Sequence, residues 1–279
     1  MSGAGFSRRK SICMSIGDRI EEVLPGFPGI SLKELQQAEL MRRKDAKFLY
    51  RVVHIPGILR SLVNEYNVLE VDDRRAQNYQ TIYYDTLNLD MYHMHHRGMV
   101  NRHKIRFRRY GSGDAVFLEV KRKNAKGVTI KNRIRTDSSE AMILSKEEEF
   151  LTYYTPYENR QMLPVLENSF KRITLVSPDQ EERITIDYHL WFSSPLSDNS
   201  IELPGISIAE IKFQDRISNS PFYRALRRQS IPPSRFSKYC IGMALLNPGL
   251  KQNLFKEKIL RVHKLNSEYL NKLNQPHYA

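Results

Sequence analysis

The feature that most constrains this chain is a strict two-residue alternation of charge and oil in segments short enough to be strands. In Asn101–Tyr110, Lys104, Arg106 and Arg108 fall on one face of an extended chain and Ile105 and Phe107 on the other. Phe117–Lys123 repeats the pattern, with Glu119, Lys121 and Lys123 opposite Leu118 and Val120. Lys131, Arg133 and Arg135 alternate with Asn132 and Ile134; Arg183, Thr185 and Asp187 with Ile184, Ile186 and Tyr188; Glu210 and Lys212 with Ala209, Ile211 and Phe213. One such strand is an ordinary solvated face. Exposed sheets mix the signs of their charges, whereas these strands share a predominantly basic face. A sheet rolled up around a polyanion accounts for the bias.

The formal net charge of +13 agrees, since it calls for an anionic partner: nucleic acid, an anionic membrane surface or a phosphate-rich small molecule. A nucleic-acid binder would cluster its basic residues outside and interleave them with aromatics; alternation along strands argues against that class. Cys13 and Cys240 are too few for a disulfide framework, so a reducing, cytoplasmic setting is expected. No apolar stretch is long enough for a transmembrane segment.

Three parts are read along the chain. Residues 1–30 lack periodicity and read as a flexible lead-in. Residues 31–247 read as one α+β domain: a closed antiparallel β-barrel of about eight strands with flanking helices. Ser31 and Glu34 form a capping box at the start of this domain. Residues 248–279 include an amphipathic helix. Packing on the domain is the common fate of such a helix, and its apolar stripe also offers a surface for a protein partner. His93, His95 and His96 have no Cys or nearby acid to complete a ligand set and read as a surface segment. Gly111-Ser112-Gly113 lacks the Gly-Lys-Ser/Thr ending of a phosphate loop and reads as a turn between strands.

Unpaired buried charge costs several kcal/mol, on the order of 3–5 when a partner is removed, so such an interior must hold water or a multiply charged anion. Arginine forks and lysine point charges both suit phosphate oxygens. The few carboxylates on the same faces then read as metal ligands.

Asp45-Ala46-Lys47-Phe48, Ile82-Tyr83-Tyr84-Asp85-Thr86, Lys104–Tyr110, Phe117–Lys123, Lys131-Asn132-Arg133, Phe170-Lys171-Arg172, Arg183–Asp187, Ala209–Lys212 and Arg235–Tyr239 follow one another in an order that resembles the VTC domain. That domain is the polyphosphate polymerase module of the vacuolar transporter chaperone complex, a triphosphate tunnel metalloenzyme. The resemblance implies phosphate-gripping catalytic roles for Lys47, Arg106, Arg108, Lys121, Arg172 and Lys238. Further phosphate contacts are expected from Lys104, Lys123, Lys131, Arg133, Arg183, Lys212 and Ser237. Glu210 is implied as the ligand of a divalent metal, Mn2+ or Mg2+, with Glu119 and Asp187 as supporting acids. The implied partners are ATP and inorganic polyphosphate, with no sequence-specific nucleic acid. The implied reaction moves the γ-phosphoryl of ATP onto a growing polyphosphate chain. Hydrolysis of tripolyphosphate or nucleoside triphosphates on the same fold, and non-catalytic polyphosphate binding, stay open. Two positions depart from the family: Phe170 stands where the polymerase subunit carries a tyrosine, and Asp45 where bacterial relatives carry glutamate.

Overall fold

The computed structural model describes residues 14–37, 44–111, 113, 115–125, 128–136, 142–157 and 162–274. Eleven strands form one mixed sheet: β1 (Gly29–Ser31), β2 (Lys44–Arg51), β3 (Asn67–Glu70), β4 (Ala76–Thr86), β5 (Arg102–Tyr110), β6 (Val116–Lys123), β7 (Thr129–Thr136), β8 (Met162–Val176), β9 (Glu182–Ser193), β10 (Ser200–Leu203) and β11 (Ile206–Phe213). Among the described residues eight α-helices flank it: α1 (Ile16–Glu21), α2 (Leu32–Gln37), α3 (Ile55–Arg60), α4 (Asp90–His96), α5 (Ser145–Tyr154), α6 (Pro221–Arg228), α7 (Lys238–Leu246) and α8 (Lys256–Leu273).

The main path of the sheet runs β2-β11-β9-β8-β4-β5-β6-β7, all antiparallel, with β1 and β3 paired in parallel beside it. The path is open. Among the described residues β7 and β2 do not pair, which corrects the expectation of a closed eight-stranded barrel. The reason lies at the edge of β2. Phe48 bridges to Pro233, and the Ser234 amide donates to the Lys47 carbonyl at 2.6 Å, so the segment before α7 occupies the hydrogen-bonding edge that closure would need.

The sheet is nevertheless curled. Lys121 on β6 and Glu210 on β11, far apart along the path, lie close enough to perturb one another electrostatically. Lys104 on β5 reaches Ser237, next to the covered β2 edge, at 2.9 Å. Two apolar cores hold this shape. Phe48, Tyr50, Ile184, Ile186, Tyr188, Ala209 and Ile211 back onto α1, α3 and α6. Ile105, Phe107, Leu118 and Val120 share a second core with α5 and α7.

Two further expectations are corrected and one is met. From residue 14 onward the lead-in is folded. Ile16, Ile20, Val23, Leu24, Phe27 and Ile30 are buried, and Arg75 pins the segment by donating to the carbonyls of Leu24 and Phe27 at 2.7 and 2.9 Å. Those apolar residues lack a regular period because the segment changes from helix to turn to strand within 16 residues. Residues 1–13 lie outside the described part. The histidine segment is α4, not a surface stretch: Met91, Tyr92 and His96 are buried, and Asp85 caps the helix by accepting from the Met91 and Tyr92 amides at 3.0 and 2.9 Å. Ser31 and Glu34 do form the expected capping contacts.

Helix α8 packs on β2 and β11. Its Val262 is fully buried, Arg261 donates to the Leu49 carbonyl at 2.9 Å, and Asn266 accepts from the Gly205 amide at 2.9 Å. A Cβ at Gly205 would meet Tyr269 Cβ at 2.6 Å and the Asn266 Cα at 2.9 Å, so the helix rides directly on that backbone. Gly205→Ala is expected to lift α8 and cost about 1–3 kcal/mol, measured by thermal unfolding together with faster proteolysis within α8. An unshifted midpoint would show that α8 is not docked there.

Candidate phosphate-binding basin

The curled face carries a basin whose floor follows from strand parity. On β4 the inward residues are Gln77, Tyr79, Thr81, Tyr83 and Asp85; across β5 and β6 they continue as Lys104, Arg106, Arg108, Glu119 and Lys121. On the other limb Arg172, Asp187, Glu210 and Lys47 face the same space. One end is filled by α7. A Cβ on its Gly242 would meet Phe192 at 2.6 Å and Leu166 at 2.9 Å, a fit that only glycine allows. The N-terminus of α7 therefore delivers Ser237 and Lys238 into the basin.

The carboxylates there are of two kinds. Glu119 is fully buried and both its oxygens are taken: Oε2 accepts from Arg106 Nε and Nη2 at 2.8 and 2.6 Å, and Oε1 from the Tyr110 hydroxyl at 2.7 Å, with Lys131 Nζ at 2.6 Å. Burial pushes its pKa up, but Arg106, Arg108 and Lys131 outweigh it and hold the group well below the usual carboxylate range. Asp187 is clamped likewise. Arg172 donates to it bidentately at 2.6 and 2.8 Å and Lys238 completes the set; against burial, these cations bring its pKa down to about 2. Glu210 differs. Its nearest cations are Lys47 at 3.4 Å and Lys212 at 4.0 Å, neither at hydrogen-bond length. Burial opposes its ionisation, yet Lys47, Lys212, Lys121 and Arg172 keep its pKa below the usual range.

A divalent metal needs carboxylate oxygens not already committed to other donors, and Mg2+ in particular is held by one or two carboxylates plus phosphate oxygens and water. Glu210 fits that demand. Glu119 and Asp187, read from the sequence as supporting ligands, do not, because ion pairs occupy their oxygens. Among the described residues no three His, Cys, Asp or Glu side chains form a ready-made metal cluster.

The basic residues divide as well. Lys104, Arg108 and Lys121 face the basin with no carboxylate within 4.0 Å among the described residues. Arg108 is buried, donates to Thr81 at 3.3 Å, and lies 5.7 and 5.8 Å from the ring centroids of Tyr79 and Tyr110. Its pKa is lowered, chiefly by burial and then by Arg106. The Lys121 ammonium is pushed well below the usual lysine range, first by Arg106, then by burial and Arg108. Burial lowers Lys104 too. Lys238 sits 4.4 Å from the Phe170 ring centroid and Arg172 5.1 Å, so the Phe170 ring stacks on two cations. Ser237 caps α7 by accepting from the Cys240 amide at 3.3 Å, and also accepts from Lys104.

Not every expected phosphate contact lines the basin. Lys123 and Arg133 are exposed at its outer rim, Arg133 beside the Phe117 ring at 5.2 Å. Lys131 is spent on Glu119. Arg183 donates to the Leu35 carbonyl at 3.0 Å and so ties down the N-terminal segment. Tyr79, Thr81, Tyr83 and Tyr110 were not among the site residues expected from the sequence. Alternation along β4 was the available signal. The Tyr83 phenol shows what the basin does to a charge: burial would raise its pKa, but Arg106, Arg108, Lys104 and Lys238 bring it below the usual tyrosine value.

No curated protein sequence matches the chain. Among solved structures, the PH1819 protein of Pyrococcus horikoshii OT3 overlays with a TM-score of 0.41 at 14% identity, covering 83% of this chain and 99% of that one. HpAC1 from Hippeastrum, an adenylyl cyclase candidate described as having a dominant triphosphatase activity, overlays at 0.47 and 12% identity, covering 76% and 99%. Overlays this loose carry no argument about function. The VTC domain model matches residues 42–247, a span that holds every residue of the basin, and the chain belongs to the VTC domain family.

Proposed function

We propose that this protein is a metal-dependent polyphosphate polymerase that adds the γ-phosphoryl group of ATP to a growing polyphosphate chain. Family membership supports phosphoryl transfer or phosphoanhydride hydrolysis of the polyphosphate-polymerase kind. The observation that carries the finer reading is the set of basin cations without a carboxylate, Lys104, Arg108 and Lys121, beside a loosely held Glu210. Such charges are stabilised by an anion that brings several negative oxygens at once.

In this reading a terminal oxygen of the acceptor chain attacks the γ-phosphorus of ATP. The bond from that phosphorus to the bridging oxygen breaks, and ADP leaves with the electron pair. Arg108, Lys121, Lys104 and Arg106 hold the phosphates in line and neutralise charge on the transferring group. Lys238 and Arg172, fixed by Asp187, grip the neighbouring phosphates. Glu210 would hold the divalent ion, which when bound supplies further neutralisation of phosphate charge. Hydrolysis in the same basin would ask for a carboxylate able to orient water besides Glu210, which holds the metal in this reading. Glu119 and Asp187 are committed to cations, which favours transfer to a phosphate acceptor.

The test is to incubate the protein with ATP and Mn2+ or Mg2+ and follow ADP, orthophosphate and chain length. ADP with long polymer is expected. Orthophosphate without polymer would establish a hydrolase; binding without turnover would establish a binding module.

A pH effect follows from the depressed lysines. An anion favours the charged form of Lys104 and Lys121, so their pKa values rise on binding. Binding therefore takes up protons between the free and bound values, and affinity falls as pH rises through that window, below the ordinary lysine pKa of about 10.4. Titration calorimetry in buffers of different ionisation enthalpy should show proton uptake. None would mean that these lysines do not meet the phosphates.

A further inference from the structure

On the side of the sheet opposite the basin, strands β9, β8, β4 and β5 leave a cavity of ≈ 480 Å³ whose lining includes Asn78, Gln80, Arg109, Ser169, Lys171 and His189. The register explains why these residues meet. Gln80 stands opposite both Arg109 and Ser169, and Asn78 opposite Lys171, all with the parity that points away from the basin. The sheet is irregular there. Between Ser169 and Lys171 the pairing slips, so β9 carries one more residue than β8, and His189 adopts a left-handed backbone with φ of 53°. A bulge of this kind re-aims side chains, and a left-handed conformation is disfavoured in a non-glycine residue.

The chemistry of the lining is one-sided. It offers a guanidinium, an ammonium, an imidazole, two carboxamides and a hydroxyl. No carboxylate lines it among the described residues. Arg109 Nη1 rests on Gln80 Oε1 at 3.5 Å, an arrangement that orients the fork across the strand pair. The volume exceeds what one inorganic phosphate fills. Asn78, Gln80 and His189 are exposed, so the cavity opens to solvent.

We propose that this outer cavity is a second anion site that binds a short phosphoanhydride chain, separate from the basin and reached from the other side of the sheet. Arg109 and Lys171 supply the charge, while Asn78, Gln80, Ser169 and His189 donate to the remaining phosphate oxygens. The ligand is either free tripolyphosphate or the phosphate tail of a nucleotide, which share this chemistry.

The experiment is titration calorimetry of the full chain with tripolyphosphate and, separately, ATP at low salt. Two binding phases are expected with tripolyphosphate, the weaker one fading first as salt rises. Lys171→Glu should weaken that second phase about tenfold or more, the scale of losing a charge-assisted hydrogen bond. His189→Asn keeps a residue that tolerates positive φ and should weaken it severalfold. Arg106→Ala should remove the tight phase and spare the weak one. That variant separates failure of this site from failure of the basin. A matching second phase with ATP would assign the site to nucleotide tails as well; its absence would restrict it to the free chain. A single phase with tripolyphosphate, a second phase unchanged in Lys171→Glu, or both phases lost in Arg106→Ala would each overturn the proposal.

Discussion

Glu119→Ala should be the most damaging single substitution in the basin, costing about 3–5 kcal/mol and lowering the unfolding midpoint by roughly 10 °C. The carboxylate is fully buried and is the common acceptor for Arg106, Lys131 and Tyr110. Its loss leaves Arg106 beside Arg108 with no carboxylate to balance them, and Arg106 cannot escape by losing its proton. Glu119→Gln, which keeps the shape and one acceptor oxygen, should lose a similar amount, because the deficit is charge. Tripolyphosphate should restore part of the midpoint in both variants by binding the folded state alone. A midpoint within two or so degrees of the parent would mean that solvent, and not Glu119, balances the basin.

The same reasoning fixes the acid limb of the stability profile. Glu119 and Asp187 have folded pKa values depressed below their unfolded ones, Asp187 to about 2. Their contribution is full above the unfolded carboxylate range of about 3.9–4.3 and is lost as pH falls through the folded values. Stability should therefore decline from about pH 4 toward pH 2, and Glu119→Gln should flatten that decline.

Glu210→Gln has the opposite signature: metal-dependent turnover should fall about 10²–10³-fold, as when one element of transition-state charge stabilisation is removed, while the fold is barely affected. Glu210 is only partly buried, and its cations stand off at 3.4 and 4.0 Å, so no committed hydrogen bond is broken. Polyphosphate binding should be largely retained, since an anionic neighbour of the phosphates is gone. Mn2+ titration followed by electron paramagnetic resonance should show weaker metal binding in the variant. Unchanged metal dependence would remove Glu210 from the assignment.

Much of the basin was legible before any coordinates. Alternation put Lys104, Arg106 and Arg108 on one face of their strand and Lys121 with Glu119 on one face of theirs; the register adds that Lys104 stands opposite Lys121 and Arg106 opposite Glu119. Less legible were residues whose importance depends on a distant neighbour. Asp85 reads as one acid in a tyrosine-rich strand. In the fold it is fully buried, caps α4 and accepts from the Tyr239 hydroxyl on α7, which seats the helix that delivers Ser237 and Lys238. Arg183 has the pattern of a basin residue and is instead drawn to the carbonyl of Leu35 in α2, a contact that strand parity cannot show.

What the sequence alone determined is the strands of the sheet's main path, the face each of their side chains takes and the excess of positive charge on that face. These follow from a two-residue period and need no knowledge of neighbours. Whether the sheet closes, and which carboxylate is free to take a metal, were decided by tertiary structure. Closure turns on whether the edge of β2 meets β7 or the chain at Pro233 and Ser234, partners about 85 and 190 residues away. Glu119, Asp187 and Glu210 share one chemistry and one strand pattern. Only packing brings cations to hydrogen-bond distance of the first two and leaves the third at arm's length.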